Sequence, residues 1–152
     1  MRGQDIPIAA EESGGIDVKG HIPERDGILN SLLFLEAIIT AAKLPSLMLR
    51  DLHNEFGEFH FGRRDQHMEV ASGKELVAKL AVNPPGKFGG YEVTRVNTMD
   101  GTKLEFNDES CLLFRQSDTE PALRIYSEAT SVAKMNALLD EGARLASSPS
   151  ER

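Results

Sequence analysis

The sequence predicts an α+β fold for the larger, C-terminal part of the chain, with helices packed on an antiparallel sheet. A helical pattern that begins near Ser72 is followed by four β-prone segments and then by a second helical pattern from Ser131 to Leu145. The order helix, four strands, helix is typical of α+β domains. The chain has 152 residues, of which 40% are hydrophobic and 27% are charged, and this composition is sufficient to bury a core.

The N-terminal part predicts one strand, a loop and two helices. Alternating apolar residues over Ile6–Ala10 predict a short strand that runs into an acidic, glycine-ended loop. Helical spacing over residues 28–39 predicts a first helix with apolar residues on more than one face. Ser46 is expected to cap a second helix, which reaches Phe56 and stops at Gly57.

The C-terminal part carries the signals of helix caps and hairpins. Ser72 and Glu75 form the pattern of a capping box, which predicts the start of a helix that ends at Asn83-Pro84-Pro85-Gly86. Asp100-Gly101 between two β-prone segments indicates a hairpin turn. Four strands are predicted, at Tyr91–Asn97, Lys103–Phe106, Cys111–Phe114 and Ala122–Glu128. Alternation in the last strand predicts one covered face.

These patterns divide the chain into three parts. Residues 1–62 are predicted to be the truncated trailing part of an α/β domain, because one strand and two helices cannot form a sheet covered on both faces. Residues 63–147 are predicted to form a nearly complete α+β domain, and residues 148–152 a frayed tail. The apolar helix over 28–39 would then lack a packing partner, which predicts exposure and self-association. Arg63-Arg64-Asp65 is interpreted as a solvated interdomain linker, with the alternative that Arg63 or Arg64 pairs across the junction.

Composition disfavours several classes of function. Lys and Arg total 17 against 24 Asp and Glu, a net charge of −7, so no general field holds nucleic acid or an anionic membrane. Aromatic residues make up 6%, which further disfavours a nucleic-acid binder on a helix-backed sheet. The longest apolar region, around residues 28–44, is interrupted by polar residues and predicts a core helix rather than a membrane span. A single cysteine excludes an internal disulfide framework, and a cytoplasmic location is expected.

The segment Arg115-Gln116-Ser117-Asp118-Thr119-Glu120-Pro121 lies between the last two predicted strands and carries the donor types that a phosphate requires. Arg115 supplies a guanidinium fork, Ser117 and Thr119 supply hydroxyls, and a tight loop supplies backbone N–H groups. A polar turn, in which the hydroxyls bond their own backbone and Glu120 pairs with Arg115, explains the same composition. From the residue types alone both interpretations stand.

Two motifs resemble those of a known enzyme family. RQSDTEPALRIYSEA, residues 115–129, is similar to the R-x-S-G-T-E-P phosphate-binding loop and following strand in the last domain of the α-D-phosphohexomutases, the phosphoglucomutase/phosphomannomutase family. AEESGG, residues 10–15, resembles the G-E-x-S-G sugar-recognition loop of that family's third domain, and HIPERDGILNSLLFLEAI continues as family members do. The motifs occur in the family's order, about a hundred residues apart, so together they are more specific than either alone.

The resemblance implies the C-terminal portion of such an isomerase, which moves a phosphoryl group within a hexose phosphate. The implied fold is the end of the third, α/β domain followed by a fourth domain with an antiparallel four-stranded sheet packed by helices, like that of the TATA-box-binding protein. The implied sugar-binding residues are Glu11 and Ser13. The residues implied to hold the phosphate that is not transferred are Arg115, Ser117, Asp118 through its backbone, and Thr119. The implied partners are a glucose or mannose phosphate and the missing N-terminal domains of the enzyme.

The family's catalytic loops have no match in this sequence. Neither the phosphoserine pattern T-x-S-H-N-P nor the magnesium pattern D-x-D-x-D-R occurs in it. No catalytic residue and no bound cofactor is therefore expected in this chain, and Mg²⁺ is expected only in the full-length family enzyme. The chain is predicted to bind a hexose phosphate without being a mutase on its own. A free-standing, non-catalytic phosphosugar- or anion-binding module is the alternative.

Two positions depart from the family's pattern. Asp118 stands where the family usually has glycine, so a carboxylate lies beside the expected phosphate site and the loop loses a residue that accepts positive φ at no cost. Ala10 replaces the first glycine of the sugar loop. Both changes predict weakened ligand binding. Arg124 is a further candidate for the phosphate site, for which a solvated strand face is the alternative.

Four other residues with reactive or metal-binding side chains are given structural interpretations. His53, His60 and His67 recur at regular spacing, but glycines at 57 and 62 interrupt any continuous helix that would align them around a metal. They are interpreted as surface or packing histidines, and no metal site is predicted. Cys111 lies in an apolar strand and is predicted to be a core thiol.

Overall fold

The computed structural model describes residues 5–11, 14–22 and 24–147. Tertiary contacts divide the chain into two units, Met1–Glu55 and Phe56–Arg152. The predicted boundary between residues 62 and 63 falls inside a strand of the second unit, so the structure moves this division toward the N-terminus. The predicted frayed tail, residues 148–152, lies outside the described residues.

The first unit contains a β-hairpin and two helices. Its elements are β1 (Ile8–Ala10), β2 (Ile16–Val18), α1 (Gly27–Ala41) and α2 (Pro45–Phe56). The predicted first strand is confirmed, and it pairs antiparallel with β2, which the sequence analysis missed. Asn30 of α1 donates from Nδ2 to the Ile16 carbonyl at 2.9 Å and thereby fastens the helix to the hairpin.

Asp26 caps the N-terminus of α1. Its carboxylate accepts hydrogen bonds from the amides of Ile28 and Leu29, at 2.9 and 3.1 Å, and contacts His21 Nε2 at 2.9 Å. The Leu29 amide and then His21 lower the pKa of Asp26, since each favours the ionised carboxylate. The helix predicted over residues 28–39 is confirmed by this cap and by the extent of α1.

The start of α2 differs from the prediction, whereas its end agrees. The helix begins at Pro45, so Ser46 is its second residue and not its cap. Proline is favoured at the first helical position because its missing N–H would have no partner there. The helix ends at Phe56, and Gly57 follows with φ of 90°, a conformation that glycine adopts without strain.

Apolar side chains of α1 and α2 are open to solvent. Neither helix contains a buried residue, and Ile28 and Ile39 are 78% and 69% exposed. The exposure expected for residues 28–39 is therefore present, while self-association stays a prediction. Within the described ranges no single helix is long and apolar enough to cross a bilayer, although α1 and α2 together, bent by 79°, meet the length and composition requirement.

The second unit is a six-stranded antiparallel sheet with two helices. Its elements are β3 (His60–His67), α3 (Val70–Val82), β4 (Lys87–Phe88), β5 (Tyr91–Asn97), β6 (Thr102–Phe106), β7 (Cys111–Gln116), β8 (Ala122–Ala129) and α4 (Val132–Ser147). The strand order is β3-β8-β7-β6-β5-β4. The predicted antiparallel sheet packed by helices is confirmed, but the prediction of four strands is wrong because β3 and the short β4 extend its two edges.

Strand β3 occupies the segment that was interpreted as a linker. Arg63 donates from Nε and Nη2 to the two carboxylate oxygens of Asp65, at 2.7 and 2.6 Å, and Arg64 forms an ion pair with Asp140 of α4. The linker interpretation is wrong because these charged side chains are anchored along a strand that pairs over its whole length with β8. Charge in this segment therefore does not indicate a solvated loop.

Helix α3 begins earlier than the capping-box pattern predicts. Its first residue is Val70, and the preceding Glu69 makes no side-chain capping bond. Ser72 and Glu75 consequently lie within the helix, and the predicted cap is wrong. The end of the helix at Val82 agrees with the stop that the following prolines predict.

The core lies between the helices and one face of the sheet. Its strand residues are Leu104, Phe106, Leu112, Phe114, Leu123 and Ile125, and its helix residues are Leu80, Leu138 and Leu139. Thr102 is fully buried and donates from its hydroxyl to the Val77 carbonyl at 2.8 Å, which ties α3 to β6. A buried hydroxyl requires such a partner, so this bond fixes where α3 lies on the sheet.

Lys134 fastens the first turn of α4 to the β6–β7 turn. Its Nζ contacts both carboxylate oxygens of Asp108 at 2.7 Å and lies 3.9 Å from the centre of the Tyr91 ring. Only 8% of the Lys134 side chain is exposed. Burial opposes ionisation of Asp108, but hydrogen bonds from Lys134 and Ser110 outweigh it and lower the pKa of that carboxyl.

Candidate functional site

The predicted phosphate loop joins β7 to β8 and is closed by its own backbone. The Ser117 amide donates to the Ala122 carbonyl at 3.0 Å, and the Ala122 amide donates to the Glu120 carbonyl at 2.7 Å. Ser117 is 6% exposed, whereas Asp118 and Thr119 are exposed. Within the described chain, the amides of Asp118 and Thr119 donate to no other backbone group, so the loop has two adjacent amides without a backbone acceptor.

Gln116 holds this loop from beneath, and the sequence analysis did not assign it a role. Its Nε2 donates to the carbonyls of Ser117 and Glu120, at 3.1 and 3.3 Å. Its Oε1 lies against Gly73 of α3, where an added Cβ would come within 1.7 Å of that oxygen. Gly73 therefore allows α3 to approach the end of β7 closely enough for Gln116 to support the loop. A polar residue that ends a strand gives no sequence signal for this role.

Ion pairs surround the loop in a pattern different from the predicted polar turn. Arg115 contacts Asp100 through Nε at 3.1 Å, and Glu120 pairs with Arg124 at 3.1 Å. The Glu120–Arg115 pair that the polar-turn alternative required is therefore not the one formed. Asp118 pairs with Lys74 of α3 at 3.2 Å. The non-glycine residues with positive φ in the described chain are at positions 42 and 109, so Asp118 occupies its position without left-handed backbone strain.

A cavity of about 380 Å³ opens beside the loop, between α3, the β5–β6 turn and the end of β7. Charged residues on its walls are Lys74, Asp100, Arg115 and Asp118, and Gln116 also lines it. Its apolar lining comes from α3, through Val77, Ala78 and Ala81. The structure thus brings Arg115 and Asp118 to one cavity, whereas Ser117 and Thr119 lie in the adjoining loop and do not line it.

Gly101 permits the β5–β6 turn to reach Arg115. It has φ of 89°, and an added Cβ would lie 2.4 Å from the Phe114 carbonyl oxygen and 3.2 Å from Arg115 Cα. Only glycine fits such an approach. The Asp-Gly signal for a hairpin turn is confirmed, and its consequence is that Asp100 stands beside the guanidinium of Arg115.

The predicted sugar loop joins β1 to β2 in the first unit. The Glu11 amide donates to the Gly15 carbonyl at 2.8 Å, and the Gly14 amide donates to the Glu11 carbonyl at 3.0 Å. Glu11 Oε2 accepts a hydrogen bond of 2.5 Å from Arg25 Nη1, and this contact raises the pKa of Arg25. Ser13, the other predicted sugar-binding residue, lies outside the described residues.

A second cavity of about 350 Å³ adjoins this loop and is lined by three charged residues that were not predicted from the sequence, Asp17, Glu24 and Arg25. Glu11 lines it as well. Asp17 Oδ1 is a buried oxygen with no hydrogen-bond partner in the part of the chain described. Arg25 lies over Gly15, whose added Cβ would come within 2.5 Å of Arg25 Cδ. An acceptor-rich cavity with one guanidinium suits a ligand that carries several hydroxyl donors.

The histidines and the cysteine form no further site. Among the described residues no group of three or more His, Cys, Asp or Glu is placed to hold a metal ion. His53 lies in α2, and His60 and His67 lie at opposite ends of β3. Burial raises the pKa of the Cys111 thiol, which disfavours the reactive thiolate.

Comparison with known proteins agrees with the two motifs. The family model described as phosphoglucomutase/phosphomannomutase, alpha/beta/alpha domain III, matches residues 1–56. A phosphoglucomutase/phosphomannomutase from Thermococcus kodakarensis is 33% identical over 91% of this chain and 28% of its own length. A probable phosphoglucosamine mutase from Methanobrevibacter smithii is 28% identical over 74% of this chain and 24% of its own length.

A solved structure extends the match through the second unit. The crystal structure of a phosphoglucomutase/phosphomannomutase family protein from Burkholderia thailandensis superposes with a TM-score of 0.67 and 26% identity, over 91% of this chain and 27% of that one. The fold is thus a mixed α/β arrangement of the kind found in that family. The chain is a relative of the α-D-phosphohexomutases, the phosphoglucomutase/phosphomannomutase family. It spans about a quarter of the length of the curated relatives named above.

Proposed function

We propose that this chain is the substrate-recognition portion of a phosphohexomutase, binding the hydroxyls and the non-transferred phosphate of a hexose phosphate. The observation that carries the proposal is the closed β7–β8 loop beside Arg115. The loop offers the amides of Asp118 and Thr119, which donate to no other backbone group in the described chain, and the Nε of Arg115 lies 3.1 Å from Asp100. The guanidinium of Arg115 supplies the fork that phosphate favours.

The sugar hydroxyls are assigned to the β1–β2 loop. Glu11 is held by Arg25, and Asp17 and Glu24 line the same cavity. Carboxylate oxygens accept hydrogen bonds from adjacent hydroxyls, and Ser13 is the further residue proposed from the motif. Glucose, mannose and glucosamine phosphates all carry adjacent hydroxyls that such carboxylates can bind.

Phosphoryl transfer is assigned to other parts of the enzyme. The described residues include no group of three or more His, Cys, Asp or Glu placed to hold a metal ion. A magnesium ion bound elsewhere in the full enzyme would neutralise charge on the transferring phosphoryl group. The partners proposed are therefore the remaining mutase domains, and the location proposed is the cytoplasm. In the finer fold assignment, β5–β8 with α3 and α4 form the four-stranded TATA-box-binding-protein-like unit, flanked by β3 and β4.

An NMR titration tests the phosphate assignment. Glucose 6-phosphate added to the full chain is expected to shift the amides of residues 115–119 first, and Arg115→Met should weaken binding at least tenfold. Arg95→Gln is the matched control, because Arg95 is an exposed arginine of the same sheet that pairs with Glu105 away from the cavity. Unaffected loop amides, or equal losses from the two variants, would refute the phosphate site.

A mutase assay tests the absence of catalysis. The purified chain, supplied with glucose 1-phosphate, a hexose bisphosphate and Mg²⁺, is expected to show binding without turnover. Appreciable turnover would show that the chain carries the chemistry itself. The alternative of a free-standing anion-binding module is not favoured, because both units of the chain match proteins of the mutase family.

A further inference from the structure

We propose that Lys74 is a second cationic contact for the ligand's phosphate, and that Asp118 engages Lys74 until the phosphate arrives. The proposal rests on the proposed function, since it concerns the cavity beside the same loop. Neither family motif includes Lys74, which lies on α3, about forty residues before the loop.

The geometry places Lys74 on the wall of the cavity that the β5–β6 turn also lines. Lys74 comes from α3, whereas Arg115 comes from the end of β7, and both line the same cavity of about 380 Å³. Gly73 allows α3 to lie directly against Gln116, the residue that supports the loop. Gln116 is about nine-tenths buried, lines the cavity and has an Oε1 without a partner in the described chain. The cavity therefore combines two cations from different elements beside the residue that supports the loop.

The two cations are engaged in different ways. Arg115 has three guanidinium nitrogens, and its Nε lies 3.1 Å from Asp100 Oδ1. Lys74 has a single nitrogen, and that nitrogen contacts Asp118 Oδ1 at 3.2 Å. A phosphate placed against Lys74 would come beside the Asp118 carboxylate, and like charges at that distance repel. Phosphate and Asp118 therefore compete for Lys74.

Asp118 can leave its ion pair with Lys74 at little energetic cost. Its side chain is 82% exposed, so it can rotate into water without losing packing, and an exposed ion pair of this kind contributes little stability. The two cations and two carboxylates on the cavity walls sum to zero charge, so the unliganded cavity has no net attraction for an anion. Release of Lys74 from Asp118 restores a positive charge at the place where the phosphate binds.

Binding of inorganic phosphate and of glucose 6-phosphate to the full chain tests the role of Lys74. Lys74→Gln is expected to weaken both affinities about five- to tenfold and to reduce their dependence on salt. Lys79→Gln is the matched control, because Lys79 is an exposed lysine of the same helix outside the cavity, and it should change affinity less than twofold. Equal effects of the two substitutions would overturn the proposal.

A double-mutant cycle tests the competition. Asp118→Asn should tighten phosphate binding about threefold in the natural sequence and by a clearly smaller factor in the Lys74→Gln background. Equal tightening in the two backgrounds would mean that Asp118 repels phosphate without engaging Lys74, and would overturn that part. Loss of binding in Arg115→Met with no effect of Lys74→Gln would leave the proposed function standing and refute only this inference. No effect of either substitution would refute both.

Discussion

Replacing Gly101 by Ala is expected to destabilise the second unit strongly. The glycine has φ of 89°, a region that costs an L-residue about 1–2 kcal/mol. An alanine Cβ would also lie 2.4 Å from the Phe114 carbonyl oxygen, so the backbone must shift. Overpacking of this kind costs about 1–3 kcal/mol, which brings the expected loss to about 2–5 kcal/mol.

The size of this loss makes it measurable. A unit of about 100 residues is stable by roughly 5–15 kcal/mol, and each kcal/mol lowers the melting temperature by about 4–8 °C. The chain has two tyrosines and no tryptophan, and both tyrosines, Tyr91 and Tyr126, lie in the second unit. Tyrosine fluorescence during urea unfolding of the full chain therefore reports on this unit alone.

Two further variants separate the causes. Gly86→Ala is the matched control, because Gly86 has no positive φ and nothing within 4 Å of an added Cβ, and it should change stability by less than about 0.5 kcal/mol. Gly101→Asn tolerates the positive φ better but retains the clash, so it should recover only part of the loss. A Gly101→Ala protein as stable as the Gly86→Ala protein would refute the close approach of the turn to β7.

Three other changes probe separate features. Lys134→Met should cost about 1–2 kcal/mol at pH 7, because it removes the ion pair with Asp108. The cost stays in this range because Asp108 is partly exposed and regains some contact with water. Since the folded-state pKa of Asp108 is lowered, its contribution is present above the unfolded pKa of about 3.9 and is lost as pH falls further. Urea unfolding between pH 7 and 3 should show a larger loss with Lys134 present than in Lys134→Met, where only the hydrogen bonds from Ser110 remain. Gly73→Ala should displace Gln116, shift the amides of residues 117–120 and weaken phosphate binding, and an unchanged NMR spectrum there would contradict the packing. Ile39→Asp should reduce concentration-dependent self-association in sedimentation velocity, and a natural chain that stays monomeric at about 100 μM would contradict the prediction.

The sequence predicted the elements whose apolar pattern matches their burial. The helix ending before Asn83 and the four strands β5–β8 all follow this rule, because most of their inward residues are apolar. Strand β3 was not predicted because the positions that face α4 are Gly62, Arg64 and Gln66, which do not give the apolar alternation typical of a strand. An added Cβ at Gly62 would lie 2.8 Å from Met135, so glycine replaces the apolar side chain that would have marked the strand. Strand β2 was missed because three residues are too short for a period-two pattern to register.

The candidate site was predictable only where its residues are adjacent in sequence. Arg115 and its neighbours stand in one motif, whereas Lys74 and Asp100 reach the same cavity from other elements. Their spacing along the chain carries no signal, since it is set by how closely α3 and the β5–β6 turn approach β7. The glycines at 73 and 101 were the local signs of these approaches. A glycine in the sequence can indicate a close approach between two elements, but it does not indicate which side chain of the second element lies there.

The pairing of β3 with β8 has a consequence for the order in which the second unit folds. β3 comes first in the unit, yet its partner β8 and the helix that packs on it, α4, come last. During synthesis β3 therefore has neither its hydrogen-bonding partner β8 nor the helix α4 that covers its inner face until residues 122–147 have left the ribosome. Closing so long a loop carries an entropic cost that local pairs such as β5–β6 avoid. The hairpin strands can assemble early, and the unit is completed only when its two ends meet.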